Sequence, residues 1–204
     1  YFKLTSDISL GGNSWTPIGI GVASRFMGNF DGDGHTITSF SCNTTGDYAG
    51  LFGYVAGAAI KNLKISGIEC IGALYVGVFA GYSEYGTQFI NCISDVNTVQ
   101  GEQAGGILGR TGVGPGTLIL GCVNYSNIQV NGLSKYAFAA GIASALGGGT
   151  IAYCANYGDI GGEAKTYVSA GGIVGMQGGD NMPATVTYCF NSGNISANAG
   201  DTTY

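Results

Sequence analysis

The sequence predicts an all-β fold: a β-helix solenoid of roughly six coils with about 30 residues each. Three observations predict it. Two short blocks recur in register along the chain, their residues are of the types that favour strands, and no segment of helical length has a helical apolar period. Helical repeats such as ankyrin have units of similar length, but each unit needs two such helices. We therefore expect a single β-helix domain over residues 1–204.

The first repeated block joins a glycine to an aliphatic residue, as in Gly50-Leu51-Phe52-Gly53. Its copies define about five repeats over residues 49–204, and their glycines stand 27, 29, 35 and 31 residues apart. Glycine permits a positive φ and close approach of neighbouring backbones, both of which suit a sharply turning coil. We therefore assign a structural role to the anchor glycines, which are Gly50, Gly77, Gly106, Gly141 and Gly172.

The second block is Cys-x-Asn, which follows the last three anchors, and Asn91-Cys92 occupies the same slot in an earlier repeat. Because cysteine recurs at one repeat position, we predict an inward ladder of buried thiols. A disulfide framework or a metal site is the alternative, although stacked pairs rarely reach disulfide geometry and no paired Cys-x-x-Cys zinc spacing occurs. We expect the recurring asparagines, at positions 91, 124, 156 and 191, to form ladders or left-handed turns. The ladder cysteines are Cys92, Cys122, Cys154 and Cys189, and we expect Cys42 and Cys70 in the interior too.

The N-terminal coil, residues 1–48, contains the segment Phe30-Asp31-Gly32-Asp33-Gly34-His35-Thr36-Ile37, with the only histidine of the chain. Alternating aspartate and glycine is typical of calcium loops, because Ca²⁺ binds carboxylate oxygens and glycine permits sharp turns. The residues after the histidine alternate between polar and apolar like a strand. The segment is therefore either a calcium site at Asp31 and Asp33 or a tight turn that leads into a strand.

Composition and charge exclude several classes of function. Only 9% of the residues are charged, the net charge is −5, and the pI is about 4.5, so no basic surface for nucleic acid or an anionic membrane is expected. No apolar run approaches the ~20 residues that a membrane span needs. One histidine cannot supply a His-Glu-x-x-His metallopeptidase motif, and no Gly-x-Ser-x-Gly elbow occurs. We predict no catalytic residues, no cofactor and no membrane insertion.

Two features keep a carbohydrate role open. Exposed aromatic side chains could stack on sugar rings, although tyrosines could equally cap the coil edges with their hydroxyls in water. A polysaccharide-active β-helix enzyme would need two facing carboxyl groups. Asp95 and Asp159 lie near one repeat slot, but they form no tight acidic cluster with a basic partner in the sequence. The aromatic candidates for ligand contact are Tyr82, Tyr85, Tyr125 and Tyr157.

Three motifs in order resemble the GLUG-type repeat proteins: Trp15-Thr16-Pro17-Ile18-Gly19, then the segment from Phe26 to Ile37, then Gly50-Leu51-Phe52-Gly53. The resemblance covers essentially the whole chain. It implies a right-handed parallel β-helix from a bacterial extracellular protein. Such segments occur in adhesin-like proteins and upstream of the catalytic domain in some immunoglobulin-A-cleaving metallopeptidases. The chain departs from the family by its cysteine ladder and by a block that ends in Ser144 instead of glycine.

For the N-terminal segment, the resemblance implies the tight turn. Asp31 would accept a hydrogen bond from the backbone two residues on, Gly32 and Gly34 would supply unusual φ values, and His35 would donate to a carbonyl. The family motif brings no catalytic residues that could be assigned to this chain.

The sequence thus predicts a structural or adhesive segment of a bacterial cell-surface protein, cut from a longer chain and without enzymatic activity. Its expected partners are a glycan or protein of the host or environment, neighbouring domains of the parent chain, or other copies bound end to end. A polysaccharide-active lyase or glycosidase is one alternative. A self-assembling extracellular filament subunit is the other, because open strand edges favour head-to-tail contacts that do not close.

Overall fold

The computed structural model describes residues 1–112, 114, 116–130, 136–178 and 183–200, and these form a stack of coils built from short strands. The strands up to residue 84 are β1 (Phe2–Lys3), β2 (Ile8–Ser9), β3 (Asn29–Asp31), β4 (Thr36–Asn43), β5 (Tyr48–Ala49), β6 (Phe52–Ala56), β7 (Ala59–Ile71), β8 (Tyr75–Gly77) and β9 (Ala80–Glu84). Those that follow are β10 (Gln88–Gly101), β11 (Gln103–Gly105), β12 (Leu108–Thr111), β13 (Thr117–Leu120), β14 (Val123–Asn124), β15 (Asn127–Val130), β16 (Tyr136–Ala140), β17 (Ala143–Leu146), β18 (Gly149–Ala152), β19 (Ala155–Asn156), β20 (Ile160–Ala164), β21 (Tyr167–Gly171), β22 (Val174–Gln177), β23 (Ala184–Thr187), β24 (Phe190–Asn191) and β25 (Ile195–Ala199). A short 3₁₀ helix spans Val22–Ser24.

The strands pair in parallel and form three sheets along the stack. The main sheet runs β1-β3-β7-β10-β13-β18-β23, with β2, β4, β14, β15, β19, β20, β24 and β25 joined to it. The first side sheet is β5-β8-β11-β16-β21, and the second side sheet is β6-β9-β12-β17-β22. Each coil therefore passes through the main sheet, then the first side sheet, then the second. This confirms the predicted β-solenoid of about six turns with roughly 30 residues each.

One ladder of side chains shows how the repeat builds the core. Strand pairing places one residue of each coil directly above its equivalent in the coil before. The middle members, from Ile60 to Ile151, are fully buried, and each such side chain contributes roughly 1.5–3 kcal/mol of burial energy. The ladder consists of Phe2, Phe30, Ile60, Phe89, Ile119, Ile151 and Val186.

The anchor glycines chosen from the repeated block do not share one ladder position. Gly77 pairs with Gly105, which is one residue before the anchor Gly106. The corner before Phe52 is one residue shorter than the corner before Ala80, with which Phe52 pairs. The corner before Leu108 has the same length as the corner before Ala80, so Gly77 stands in the place of Gly105, and aligning the blocks by the glycine before the aliphatic residue misplaces Gly77 by one.

The two repeated blocks meet inside the solenoid. A Cβ on Gly141 would collide with the side chain of Asn156, so close approach explains this glycine. Gly141 does not have a positive φ, and among the anchors only Gly50 has one, at 157°. The same relation holds for the pairs Gly106 with Asn124 and Gly172 with Asn191. The glycine of the first block is thus required by the asparagine of the second.

Candidate ligand-binding surface

Four tyrosines of the two side sheets form one aromatic cluster. Tyr48 pairs with Tyr75 in the first side sheet, and Tyr54 pairs with Tyr82 in the second. The ring centroids of Tyr48 and Tyr54 are 5.4 Å apart, those of Tyr54 and Tyr82 are 5.0 Å apart, and those of Tyr75 and Tyr82 are 5.3 Å apart. The corner between the side sheets therefore brings together rings that lie more than one coil apart in the sequence.

Arg110 extends this cluster into the next coil. It stands opposite Tyr82 in the second side sheet, and its guanidinium carbon lies 5.8 Å from the centre of the Tyr75 ring. Its Nη1 donates a hydrogen bond to Oε1 of Gln103 at 3.2 Å. An arginine held over an aromatic face is fixed in orientation and keeps donors for an acceptor ligand.

Three tyrosines of the cluster, Tyr48, Tyr54 and Tyr82, have hydroxyl pKa values raised by burial and stay neutral over the physiological pH range. Burial raises the pKa of Tyr82 to about 12. Burial, and next the hydrogen bond to Glu84, raises the pKa of Tyr54. These three tyrosines therefore offer neutral hydroxyl donors together with their ring faces.

A cleft of about 280 Å³ lies beside the cluster and shares Tyr48 with it. The chain's single tryptophan, Trp15, forms part of its wall and is held there because its Nε1 donates to the Leu51 carbonyl at 3.0 Å. The lining mixes apolar surface with hydroxyl, amide and carboxylate groups, as small polar ligands require. It consists of Ser14, Trp15, Thr16, Pro17, Ile20, Asn43, Thr44, Gly46, Asp47 and Tyr48.

Two further aromatic stacks lie on the outside of the main sheet. The rings of Tyr125 and Tyr157 are stacked with centroids 5.1 Å apart and an angle of 10° between their planes. Phe190 follows Tyr157 at 6.0 Å. Tyr153 and Tyr188 form a separate stack at 5.0 Å and 11°.

The predicted aromatic candidates therefore fall into three environments. Tyr82 belongs to the cluster, while Tyr125 and Tyr157 cover each other's ring faces. Tyr85 is exposed in a turn, with a positive φ of 53°. The sequence interpretation missed the residues around Tyr82, namely Trp15, Tyr48, Tyr54 and Tyr75. The sequence contained a signal for two of them. A tyrosine stands two residues before the anchor glycine in both Tyr48-Ala49-Gly50 and Tyr75-Val76-Gly77.

The carboxylate of Asp31 is held by hydrogen-bond donors. It accepts from the backbone N–H of Asp33 at 3.0 Å and from Nδ2 of Asn62 at 3.1 Å, and Nζ of Lys61 lies 3.1 Å from Oδ2. The Tyr1 hydroxyl also donates to it. These donors, with the Asp33 N–H foremost, hold the pKa of Asp31 well below its usual range. The environment fits a hydrogen-bonded turn, because donors occupy the oxygens that a cation would need.

The turn itself differs in detail from the expectation. Asp33, at φ 52°, adopts the left-handed conformation predicted for Gly32, and its carboxylate pairs with Lys3 at 2.9 Å. Gly32 serves close approach, since a Cβ there would collide with the Asn62 carbonyl, whereas Gly34 has the predicted positive φ. His35 donates to a carbonyl as predicted, through its backbone N–H to Gly32 at 2.8 Å, and its ring Nδ1 lies 3.2 Å from a carboxylate oxygen of Asp7. Within the described ranges, no group of three or more histidine, cysteine or acidic residues could hold a metal ion.

The six cysteines are unpaired thiols in two interior ladders. The backbone N–H of Cys92 lies 3.4 Å from Sγ of Cys122, and that of Cys122 lies 3.4 Å from Sγ of Cys154. Cys189 continues this ladder with partial exposure, while Cys42 pairs across from Cys70 in a different ladder. Burial raises the pKa of the Cys122 thiol.

The asparagines form a buried ladder beside the cysteines, but it excludes Asn91. Nδ2 of Asn124 donates to Oδ1 of Asn156 at 2.7 Å, and Nδ2 of Asn156 donates to Oδ1 of Asn191 at 2.7 Å. Asn91 has a positive φ and donates to Oδ1 of Asn62 in the exposed corner near Asp31. The four asparagines predicted to share one position therefore occupy two. Asn124, Asn156 and Asn191 form the ladder, and Asn91 lies in a left-handed corner.

The two acidic residues considered for catalysis both have structural partners. A carboxylate oxygen of Asp95 lies 2.7 Å from Nζ of Lys64. Oδ1 of Asp159 accepts hydrogen bonds from the backbone N–H and the side-chain Nδ2 of Asn194, at 2.9 and 3.0 Å. The strand register places Asp159 two coils after Asp95 and in line with Thr98, so the two acidic residues do not share a repeat position.

Among known proteins, similarity is found to pieces of much longer chains. A stretch of 75 residues is 41% identical to a candidate Gly-rich membrane protein of Evansella cellulosilytica, covering 33% of this chain and 9% of that protein. A stretch of 122 residues is 34% identical to halomucin of Haloquadratum walsbyi, covering 54% of this chain and 1% of that protein. The chain thus spans only a small part of either relative. No family model matches it.

A crystal structure has the same fold over nearly the whole chain. It is that of a candidate immunoglobulin A1 protease from Bacteroides ovatus, with a TM-score of 0.76 and 21% sequence identity. The similarity covers 99% of this chain and 74% of the other. At this identity the comparison shows the β-solenoid alone, which is the fold that the resemblance implied, and it does not identify the GLUG motif. Within the described residues, no helix is long and apolar enough to cross a membrane.

Proposed function

We propose that the chain is a rigid, non-catalytic spacer within a long bacterial surface protein, outside the cell. The ladder from Phe2 to Val186 carries this proposal, because unbroken register between coils makes a rod whose shape does not depend on a partner. Seven rungs at ~4.8 Å span about 30 Å. The relatives support it, since the chain matches 9% and 1% of proteins whose names refer to a membrane protein and a mucin.

Antibody labelling of intact cells of the source organism tests this proposal. An antibody against the folded chain should label intact cells as strongly as permeabilised ones, while an antibody against a cytosolic protein labels only the latter. Labelling that requires permeabilisation would overturn the surface assignment. Western blotting with the same antibody should reveal a parent protein much larger than 20.6 kDa.

We propose glycan binding in the cleft as a second function of the same segment. The specific observation is the lining: Trp15 and Tyr48 offer apolar surface, and Asp47 and Asn43 offer a carboxylate and an amide within the same 280 Å³. Sugars bind through such combinations, with ring faces on aromatics and hydroxyls on polar groups. The neighbouring tyrosine cluster would extend the contact along the axis of the solenoid.

The position of Trp15 provides a direct assay. Because it is the only tryptophan, emission excited at wavelengths that tyrosine does not absorb reports on the cleft. Titration with cello- and chito-oligosaccharides should change the emission saturably, Tyr48→Ala should weaken the binding, and Tyr85→Ala should leave it unchanged. An unchanged emission and no heat of binding with either series would refute this second function, and the spacer proposal would stand.

A further inference from the structure

The two stacked tyrosine pairs on the main sheet combine close contact with high exposure. Tyr153 and Tyr188 are 62% and 75% exposed, with ring centroids 5.0 Å apart. Tyr125 and Tyr157 are 50% and 47% exposed, with centroids 5.1 Å apart. In each pair the two residues come from neighbouring coils, so the two phenols are near in space but far apart along the chain.

The backbone fixes both pairs. The residue before Tyr153 pairs with the residue before Tyr188, and both tyrosines have the left-handed conformation, at φ 54° and 51°. For the other pair, the backbone N–H of Tyr157 donates to the Asn124 carbonyl at 2.8 Å, directly before Tyr125. The stacking is therefore set by the strand register and not by free side-chain rotation.

This geometry suits a reaction between rings better than binding of a sugar. A sugar stacks on an open aromatic face, and in a parallel stack one face of each ring is covered by the other. The four residues are about half to three-quarters exposed, so an oxidant in solution can reach them. Two phenols held in this way are placed for oxidative coupling.

We propose that Tyr153 with Tyr188, and Tyr125 with Tyr157, are sites of dityrosine cross-linking that fasten neighbouring coils together. The co-reactant is a peroxide-driven one-electron oxidant such as a haem peroxidase. Each phenol gives one electron and one proton to the oxidant, and the two radicals join by a carbon–carbon bond beside their oxygens. The hydrogen on each joined carbon then moves to its oxygen. The pair has lost two hydrogen atoms, and one hydrogen peroxide has become two water molecules.

The adjacent thiols are placed so that they do not quench this reaction readily. Cys154 and Cys189 directly follow Tyr153 and Tyr188, and thiols are good one-electron reductants. The Cys154 thiol is buried and donates to the Ala152 carbonyl at 3.3 Å, and the Cys189 thiol donates to the Thr187 carbonyl at 3.2 Å. The Cys154 sulfur is therefore inside the solenoid, and the Cys189 sulfur is partly exposed at the end of the same ladder, while the phenols lie outside.

Two other sets of tyrosines serve as internal comparisons. Tyr136 and Tyr167 are similarly exposed and in register, but their centroids are 6.4 Å apart and their planes are tilted by 52°. Tyr85 is 49% exposed and has no tyrosine ring beside it in the part of the chain that the structure describes. We expect fewer links between Tyr136 and Tyr167, and no link within the chain at Tyr85.

The test treats the dilute full chain with a haem peroxidase and hydrogen peroxide, then maps links by proteolysis and mass spectrometry. The expected product is a monomer with dityrosine fluorescence and with peptides joined at 153–188 and 125–157. Tyr188→Phe and Tyr157→Phe keep an aromatic ring in place and should each abolish one link, while Tyr85→Phe should abolish none. The linked chain should also unfold more slowly in urea than the untreated chain.

Several outcomes would overturn the proposal. Links formed chiefly between molecules would do so, as would links distributed over all exposed tyrosines in proportion to exposure. The same pattern of links from the urea-unfolded chain would show that register plays no part. Circular dichroism of each phenylalanine variant before oxidation verifies that the coils are intact.

Discussion

Replacing Asn156 by alanine should destabilise the fold by about 3–5 kcal/mol. Its carboxamide is fully buried and makes three hydrogen bonds: it accepts from Asn124 at 2.7 Å and donates to Asn191 at 2.7 Å and to the Gly158 carbonyl at 2.8 Å. Each bond is worth ~1 kcal/mol net, and leaving buried partners unsatisfied costs about 1–3 kcal/mol more. The coils on both sides of Asn156 are affected, because the ladder passes through it.

Urea unfolding followed by circular dichroism measures this loss as a lower midpoint at an unchanged slope. Asn156→Asp separates hydrogen bonding from volume, because it keeps the shape and lacks both donors; it should cost at least as much as alanine. Asn43→Ala is the matched control, since Asn43 is exposed and its side chain donates to Glu69, and it should change stability by less than ~0.5 kcal/mol. If Asn156→Ala is as mild as this control, the ladder does not stabilise the solenoid and the reasoning is wrong.

Three further predictions concern a glycine, a carboxylate and a thiol. Gly158→Ala should prevent folding, because its Cβ would collide with the Ser126 carbonyl, whereas Gly21→Ala, with open space around it, should leave the urea midpoint unchanged. The pKa of Asp31 is lowered in the fold, so the ionised Asp31 carboxylate stabilises the fold above the unfolded pKa of ~3.9, and this stabilisation is lost as the pH falls. Asp31→Asn should therefore flatten the acid side of a plot of stability against pH. The pKa of Cys122 is raised, so its neutral thiol stabilises the fold below pH ~8.5 and this stability is lost at higher pH. Cys122→Ala should reduce the loss of stability at alkaline pH. An unchanged curve of stability against pH would contradict the raised pKa of Cys122.

The solenoid could be predicted from the sequence because each coil repeats the same types of residue at the same positions. Every coil must place a side chain of the same character above the last, and Ile60, Phe89 and Ile119 do so at regular spacing. The register between neighbouring coils was harder to predict from the sequence. The corner before Phe52 is one residue shorter than the corner before Ala80, and an alignment by glycines alone assigned Gly77 to the ladder of Gly106 instead of that of Gly105.

The candidate site was harder to predict than the fold. Tyr82 was identified, but Trp15 and Tyr48 were not, because the cleft is assembled from one coil and the next, whose residues lie about 30 positions apart. Tyr125 and Tyr157 were identified as exposed aromatics. Their stacking, which covers the faces that a sugar would need, depends on strand register.

The sequence by itself determined that this chain is a stack of parallel coils with cysteine, asparagine and glycine at recurrent positions. Those features follow from local rules, since periodic burial and turn residues are properties of each repeat. Only the tertiary structure decided that Gly141 is a glycine because Asn156 lies against it, and that Asp31 is surrounded by donors. Such contacts join different coils or opposite sides of one coil, and the distance between two side chains is set by how the whole backbone closes on itself.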